Sequence, residues 1–195
     1  MTSFKKASNP QIKSFKTQKA FETWLSENFL LQEGIFLQLY KKNSGISSIS
    51  YAEALDVALC YGWIDGIKKS NDEVSWLQKF TPRRARSIWS KINTQHVERL
   101  TAAGKMRPQG IAEVEKAKTD GRWEKAYEAQ RTMQIPEDFL KELSKNKKAL
   151  TFFESLNKTN KYAIAFRLYH AKKPETRQKR FKEFLQMMRE GKKLY

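Results

Sequence analysis

The chain is poor in the residues from which disulfides, metal sites and many catalytic centres are built. Its 195 residues include one cysteine and two histidines, so an internal disulfide framework is excluded and a zinc or iron site lacks ligands. Cys60 lies among apolar residues and is interpreted as a small buried side chain rather than a reactive thiol. His96 and His170 are far apart in the sequence and are interpreted as structural. We therefore expect neither a metal ion nor a cofactor.

Long apolar runs are also missing. No stretch approaches the roughly 20 apolar residues that a membrane-spanning helix needs. The lysines near the N-terminus are not followed by the apolar segment of a secretion signal. These absences predict a cytoplasmic protein without insertion into a membrane.

Positive charge is what the chain has in excess. The net charge is +17, from 38 lysines and arginines against 21 acidic residues. Residues 141–195 alone contribute +11. Such a charge attracts nucleic acid, anionic lipid or an acidic protein without choosing among them. A hydrophobic share of 39% and an aromatic share of 12% still suffice for a folded core.

The apolar patterns predict an α+β fold that is predominantly helical. In the N-terminal part, helical spacing predicts two helices, the second opened by a capping box at Ser50 and Glu53 and ended at Gly62. Period-two alternation predicts three strands, two of them joined as a hairpin by the polar turn 70–73. Together the strands are expected to form a small three-stranded antiparallel sheet. The predicted helices are 19–29 and 50–61, and the predicted strands are 35–40, 63–69 and 74–80.

The remainder of the chain is predicted to be helical. Thr81 and Pro82 resemble the start of a helical turn, and Ser87 or Ser90 is expected to open a helix that stops at Gly104. Further helices are predicted at 108–119, 123–129, 136–145, 147–156, 160–171 and 174–190.

Three segments follow from this pattern. Residues 1–16 are predicted to be a flexible N-terminal arm, residues 17–132 an α+β unit, and residues 133–195 a C-terminal helical module.

A candidate ligand site lies around the sequence 62–66 and the arginines that follow the hairpin. Asp65 and a neighbouring tryptophan could line a pocket, or Asp65 could accept backbone hydrogen bonds in a turn. The arginines could hold a phosphate or carboxylate, or they could form ion pairs with nearby acids. The pattern has neither paired carboxylates nor a nucleophile beside a histidine, so no catalytic residue is predicted. The candidate ligand-binding residues are Trp63, Asp65, Trp76, Arg83, Arg84, Trp89 and Asn93.

A dense basic run marks the start of the last predicted helix. It could contact an anionic partner, including nucleic-acid phosphates with Tyr162 or Tyr169 available for stacking. It could equally be a solvated face, because Phe181, Phe184 and Leu185 define the inward side of that helix. The candidate residues of this face are Lys172, Lys173, Arg177, Lys179 and Arg180.

Four stretches carry a family resemblance. The runs YAEALDVALCYGWIDG, KFTPRRARSIWSKIN, GKMRPQGIAEVEKAKTDGRW and AKKPETRQKR resemble the YdeI/OmpD-associated, or bacteriocin-protection, family of bacterial proteins. The resemblance extends over about residues 24–189. Residues 135–193 resemble the helical module after which the family is named, and the N-terminal part resembles its longer members.

The resemblance implies tolerance of bacteriocins or cationic antimicrobial peptides and an outer-membrane porin partner, but no reaction and no cofactor. A periplasmic location has been proposed for the family. This sequence departs from it because no signal-peptide pattern is found, which weighs against the porin partner.

Three functions remain open from the sequence. The first is a non-enzymatic stress-protection or interaction protein that presents its basic face to an anionic partner such as an acidic protein. The second is a nucleic-acid-binding protein that uses the same face. The third is an enzyme or binder of a small anionic ligand at the tryptophan, arginine and aspartate pocket.

Overall fold

The structure, a computed structural model, describes residues 11–128 and 133–195. The chain divides into two compact units, residues 1–127 and residues 128–195. Within the described residues, the first unit holds all the strands and four helices, and the second holds four helices. The α+β class and its mainly helical character are therefore confirmed. Most of the predicted arm, residues 1–10, lies outside the described residues.

The elements of the first unit alternate between helices and strands. In chain order they are β1 (Ile12–Lys13), α1 (Gln18–Asn28), β2 (Ile35–Tyr40), α2 (Tyr51–Cys60), β3 (Trp63–Ser70), β4 (Ser75–Pro82), α3 (Lys91–Ala102) and α4 (Pro108–Thr119).

The predicted three-stranded antiparallel sheet is wrong in its size and in its pairing. The sheet has four strands in the order β1-β2-β4-β3, and β1 pairs with β2 in parallel. The other pairs are antiparallel, as predicted. The added strand is only two residues long and lies in a lysine-containing segment, so it carries no period-two signal. Its place is fixed by tertiary pairing, since Phe36 N–H donates to Gln11 O at 2.9 Å.

The hairpin and the central helix form for the reasons that the sequence indicates. At the turn between β3 and β4, Asp72 Oδ1 accepts from Val74 N–H at 3.0 Å and from the Ser75 hydroxyl at 2.8 Å. The capping box of α2 is confirmed, because Glu53 N–H donates to Ser50 Oγ and Ser50 N–H donates to Glu53 Oε2. Six of the ten residues of α2 are buried, which places this helix at the centre of the core.

Two glycines let the chain pack closely around the end of α2. Gly62 has φ +73°, a left-handed conformation that glycine adopts without strain. Gly110 of α4 lies against α2, and a Cβ atom there would lie 2.2 Å from Cys60 O. This close approach brings α4 beside the start of β3.

Two helix predictions in this unit are wrong. Thr81 and Pro82 do not start a helix but end β4, because they continue the ladder with β3. The helix predicted at 123–129 is replaced by turns up to residue 125 and by a bridge between Ser90 and Tyr127, and its last residue lies outside the described residues. Of the two serines proposed to open the next helix, Ser90 is the N-cap of α3 and accepts from Asn93 N–H at 3.2 Å.

The second unit is built from α5 (Glu137–Leu143), α6 (Lys147–Ser155), α7 (Lys158–Tyr169) and α8 (Pro174–Arg189). Its core is apolar and is centred on Phe139, Phe153, Ile164 and Phe184. None of the helices in the part of the chain that the structure describes is long and apolar enough to cross a membrane.

Candidate functional site

Arg83 is the buried centre of the candidate ligand site. It directly follows β4, and its backbone N–H donates to Gly62 O at 2.9 Å, which extends the contact between β4 and the start of β3. Only 7% of the residue is exposed. The chain therefore holds a guanidinium group in the interior, at the junction between the sheet and the loop that leads to α3.

The guanidinium of Arg83 is packed against an aromatic ring and is only partly hydrogen-bonded. Its Cζ atom lies 3.4 Å from the ring centroid of Trp89. Nη1 donates to Ser87 Oγ at 3.4 Å and to Ile88 O at 3.3 Å. Nε and Nη2 are buried and have no partner among the described residues, and the same holds for Nε1 of Trp89. Buried donors on two touching side chains are thus left open.

Burial governs the electrostatics of this arginine. It lowers the pKa of Arg83 to about 10, although the nearby Tyr127 and Asp65 act in the opposite direction. The group still carries its charge at neutral pH. Taking a charged group out of water is unfavourable unless it finds partners, so its open donors call for an explanation.

Asp65, the acid of the candidate set, is hydrogen-bonded to a tyrosine. The Tyr51 hydroxyl donates to Asp65 Oδ2 at 2.8 Å. Burial and then the charge of Asp65 raise the pKa of Tyr51, and the same two causes in the same order raise that of Tyr127. Both phenols therefore stay neutral at physiological pH and leave the charge of Arg83 in place.

Arg83 also lies on the wall of an open depression of about 680 Å³ beside α4. Three acids line it and each has a cationic partner, Glu115 being paired with Lys118 at 3.1 Å. Glu113 pairs with Lys116 at 2.8 Å, and Asp120 pairs with Arg122 at 2.7 Å. The depression thus gives access to the arginine without supplying it with a free carboxylate.

The structure brings together only part of the predicted ligand set. Arg83 contacts Trp89, and Asp65 is close enough to affect the charge of Arg83. Arg84 is exposed and lines a separate depression of about 310 Å³ with Arg86. The two neighbouring arginines therefore do not converge.

The three other predicted residues of the set have local contacts. Trp63 is fully buried in the core and its Nε1 donates to Phe29 O at 2.8 Å. Trp76 of β4 lies under the ammonium group of Lys68, 4.8 Å from the ring centroid. Asn93 lies in the first turn of α3.

Sequence reasoning did not find Tyr51 and Tyr127. Tyr51 is the first residue of α2, and no spacing rule links it to Asp65. Tyr127 fell in a segment predicted as helix, whereas it forms a bridge with Ser90 beside the site. Because a helix was predicted there, the backbone pairing that positions the Tyr127 ring was not expected.

The predicted basic face separates into two kinds of residue. Lys172, Lys173 and Lys179 are exposed. Arg177 Nη2 donates to both carboxylate oxygens of Asp138, at 3.0 and 2.7 Å, and Arg180 Nη1 donates to the backbone carbonyl of residue 167 at 2.8 Å. The arginines therefore fasten the helices of the second unit, and the lysines remain available to a partner.

The remaining polar residues of interest form structural contacts. His96 Nδ1 lies 2.9 Å from Asp56 Oδ1, which also pairs with Arg99. Cys60 is 6% exposed, as the sequence predicted, and burial raises the pKa of its thiol to about 11. A group of three or more side chains suited to hold a metal ion is not found within residues 11–128 and 133–195.

Comparison with known families divides the chain in two. Residues 13–113, slightly more than half of the chain, match the family described as a domain of unknown function (DUF8412). The chain belongs to the DUF8412 family. Residues 132–191 match the family described as bacteriocin-protection, YdeI or OmpD-associated, which confirms the predicted relationship for that segment. Searches of the curated proteins and of the solved structures each find no match.

The two family segments hold the two candidate sites. Arg83 and Trp89 lie in the DUF8412 segment, and the exposed lysines at the start of α8 lie in the YdeI/OmpD-associated segment. Neither family description names a reaction. The contacts of the side chains therefore have to carry any functional argument.

Proposed function

We propose that this DUF8412-family chain is a non-enzymatic cytoplasmic protein that supports tolerance of bacteriocins or antimicrobial peptides by binding an acidic partner protein through its second unit. The observation that carries the proposal is the set of exposed lysines at the start of α8. Lys172, Lys173 and Lys179 form no ion pair with any described residue. The description of the family matched by residues 132–191 supplies the protective role.

The sign of the charge determines how protection would work. A chain with a net charge of +17 repels a cationic peptide. Direct capture of such a peptide is therefore disfavoured, and a negatively charged partner is favoured.

The division between lysines and arginines supports an acidic protein over nucleic acid. Arginine is the side chain best suited to bidentate contacts with phosphates. Here Arg177 and Arg180 already bond within the unit. The lysines present compact, strongly hydrated charges that steer an acidic partner and give a salt-dependent association.

A charge-reversal variant with a matched control tests this function. Lys172, Lys173 and Lys179 are changed to Glu in one variant. Lys16, Lys42 and Lys125, which are exposed residues of the first unit, are changed to Glu in the other. Both variants lose the same net charge. The readouts are retention on immobilised polyglutamate in a salt gradient and survival of bacteria that express each variant during challenge with a cationic antimicrobial peptide.

We expect only the variant changed at Lys172, Lys173 and Lys179 to lose retention and protection. Equal loss in both variants would show that total charge, rather than this surface, is responsible, and would contradict the proposal. The unaltered chain can also be used to capture partners from a bacterial lysate. If the captured partner is lost after nuclease treatment, the lysine face binds nucleic acid instead.

A further inference from the structure

The open donors of Arg83 occupy one edge of its guanidinium group. Nη1 is used by Ser87 Oγ and Ile88 O, whereas Nε and Nη2 are buried and unpartnered among the described residues. Nε–H and the adjacent Nη2–H point in the same direction, so this edge can donate two parallel hydrogen bonds. It is the geometry with which arginine binds a carboxylate or phosphate in a bidentate manner.

We propose that the first unit binds a small oxyanion, the carboxylate or phosphate group of a ligand, on this free edge of Arg83 beside the indole N–H of Trp89. The site is independent of the lysine face of the second unit. Its failure would therefore leave the proposed protective function untouched.

Burial is the first argument for an occupant. Arg83 is 7% exposed and Trp89 is 1% exposed. Leaving a buried donor without a partner is unfavourable, and more so when the group is charged. Buried polar groups in native proteins are almost always hydrogen-bonded. Three open donor atoms on two residues in contact therefore indicate that a polar ligand binds here.

The state of the surrounding acids is the second argument. Asp65 accepts from Tyr51, Glu113 pairs with Lys116, and Asp120 pairs with Arg122. These carboxylates are used elsewhere, so the positive charge of Arg83 has no ion-pair partner within residues 11–128 and 133–195. An anion is the occupant that would satisfy both the charge and the donors.

Access limits the size of the group that binds. The two donor atoms are buried, whereas Arg83 lines the open depression beside α4. Because Arg83 is one of the residues that line the depression, a ligand can approach it from that side, and the burial of the edge favours a compact group with two oxygens. The stacking of the guanidinium on Trp89 holds the edge in a fixed orientation, which reduces the entropy lost on binding.

The tryptophans of the chain offer a direct probe. All five, Trp24, Trp63, Trp76, Trp89 and Trp123, lie in the first unit. The full chain is titrated with acetate and, separately, with phosphate at constant ionic strength, and chloride serves as the control anion. Tryptophan fluorescence and the melting temperature are recorded. We expect a saturable change with acetate or phosphate and none with chloride, and the stronger of the two identifies the ligand group.

Variants of the free edge sharpen the test. Arg83→Lys keeps the charge but removes the paired donors, and a hydrogen bond to a charged group contributes enough that we expect affinity to fall about tenfold or more. Trp89→Phe keeps a ring under the guanidinium and removes one donor, so a smaller, several-fold loss is expected. The control Arg84→Lys, in the separate depression, should bind like the unaltered chain.

Two results would overturn the site. One is an equal response to chloride and to the oxyanions, and the other is unchanged affinity in Arg83→Lys. Should that variant fail to fold, a crystal of the unaltered chain soaked in phosphate decides the matter. Phosphate density on Nε and Nη2 supports the proposal, and water alone at both atoms contradicts it.

Discussion

Arg83 in the first unit and Asn160 in the second are both buried polar residues, but they differ in how far their polar atoms are hydrogen-bonded. Asn160 is 1% exposed, and its Oδ1 accepts from the backbone N–H groups of Leu194 and Tyr195 at 3.0 and 3.1 Å. Its Nδ2 donates to Asn157 Oδ1 at 3.0 Å. Arg83, in contrast, keeps two donor atoms open. In the second unit a buried polar side chain holds the C-terminal backbone in place through hydrogen bonds. In the first unit a buried polar side chain keeps two donors without a partner among the described residues.

The largest expected effect is the loss of stability when Asn160, the hydrogen-bonded residue of this pair, is replaced. Asn160→Ala leaves the C-terminal backbone without its acceptor and should destabilise the second unit by about 2 kcal/mol or more. Far-UV circular dichroism during urea unfolding measures the loss. The exposed Asn43→Ala is the control. Tryptophan fluorescence reports the first unit alone and should not change. A shift of both the circular dichroism and the fluorescence transitions would mean that the two units unfold together. It would contradict the assignment of the Asn160 contacts to the second unit alone.

A smaller effect is expected for an arginine of the second unit. Arg180→Met retains most of the aliphatic stem but loses the hydrogen bond to the carbonyl of residue 167, so stability should fall by about 1 kcal/mol. The neighbouring Lys179→Met removes the same charge from an exposed position and should leave the urea midpoint unchanged. Equal midpoints for the two variants would show that the Arg180 contact does not contribute to the fold.

The matching change in the first unit should have almost no cost. Arg83→Met removes a buried charge that lacks an ion-pair partner among the described residues, and replacing such a group with an apolar one is often neutral or stabilising. We expect a stability change within about 1 kcal/mol of zero, together with loss of oxyanion binding. Arg84→Met is the exposed control. A loss comparable to that of Asn160→Ala, followed by tryptophan fluorescence, would show that Arg83 is fully paired within the protein.

A pH-dependent effect is expected for a charge of the first unit that does have partners. Burial alone would raise the pKa of Asp56, but hydrogen bonds from Arg99 and His96 outweigh it and hold the pKa below the ordinary 3.8. A lowered pKa stabilises the fold above the ordinary value, and this contribution disappears as the pH falls below it. The stability difference between the unaltered chain and Asp56→Asn should therefore shrink as the pH drops below 3.8. Urea unfolding at a series of pH values measures it, and a difference that does not depend on pH would contradict the assignment.

The sequence predicts the parts of this fold whose cause is local. Apolar periodicity and caps located α2, the hairpin and the four helices of the second unit to within a few residues. It missed β1 and the course of residues 81–90, because strand pairing there is set by distant segments. A two-residue strand is too short for a pattern to reveal.

The candidate ligand site follows the same division. Arg83, Trp89 and Asp65 were predicted from residue type and proximity in sequence, and the structure places them near one another. Arg84 and Trp63 were grouped with them, but Arg84 lines a separate depression and Trp63 is buried in the core. Closeness in sequence does not determine where a side chain is placed. Which guanidinium edge is open depends on contacts with Ser87 and Ile88 that no sequence pattern encodes.

The bridge between Ser90 and Tyr127 has a consequence for how this protein can be cut into pieces. Tyr127 N–H donates to Trp89 O at 2.9 Å, and Lys91 N–H donates to Tyr127 O at 2.9 Å. The family match ends at residue 113, yet the backbone that flanks Trp89 is completed by a residue 14 positions further on. An expression fragment that stops at the family boundary would remove Trp123 from the indole ring of Trp89, and Trp89 O and Lys91 N–H would lose their partner Tyr127. The evolutionary unit is thus shorter than the folding unit, and a fragment meant to fold alone has to extend at least through Tyr127.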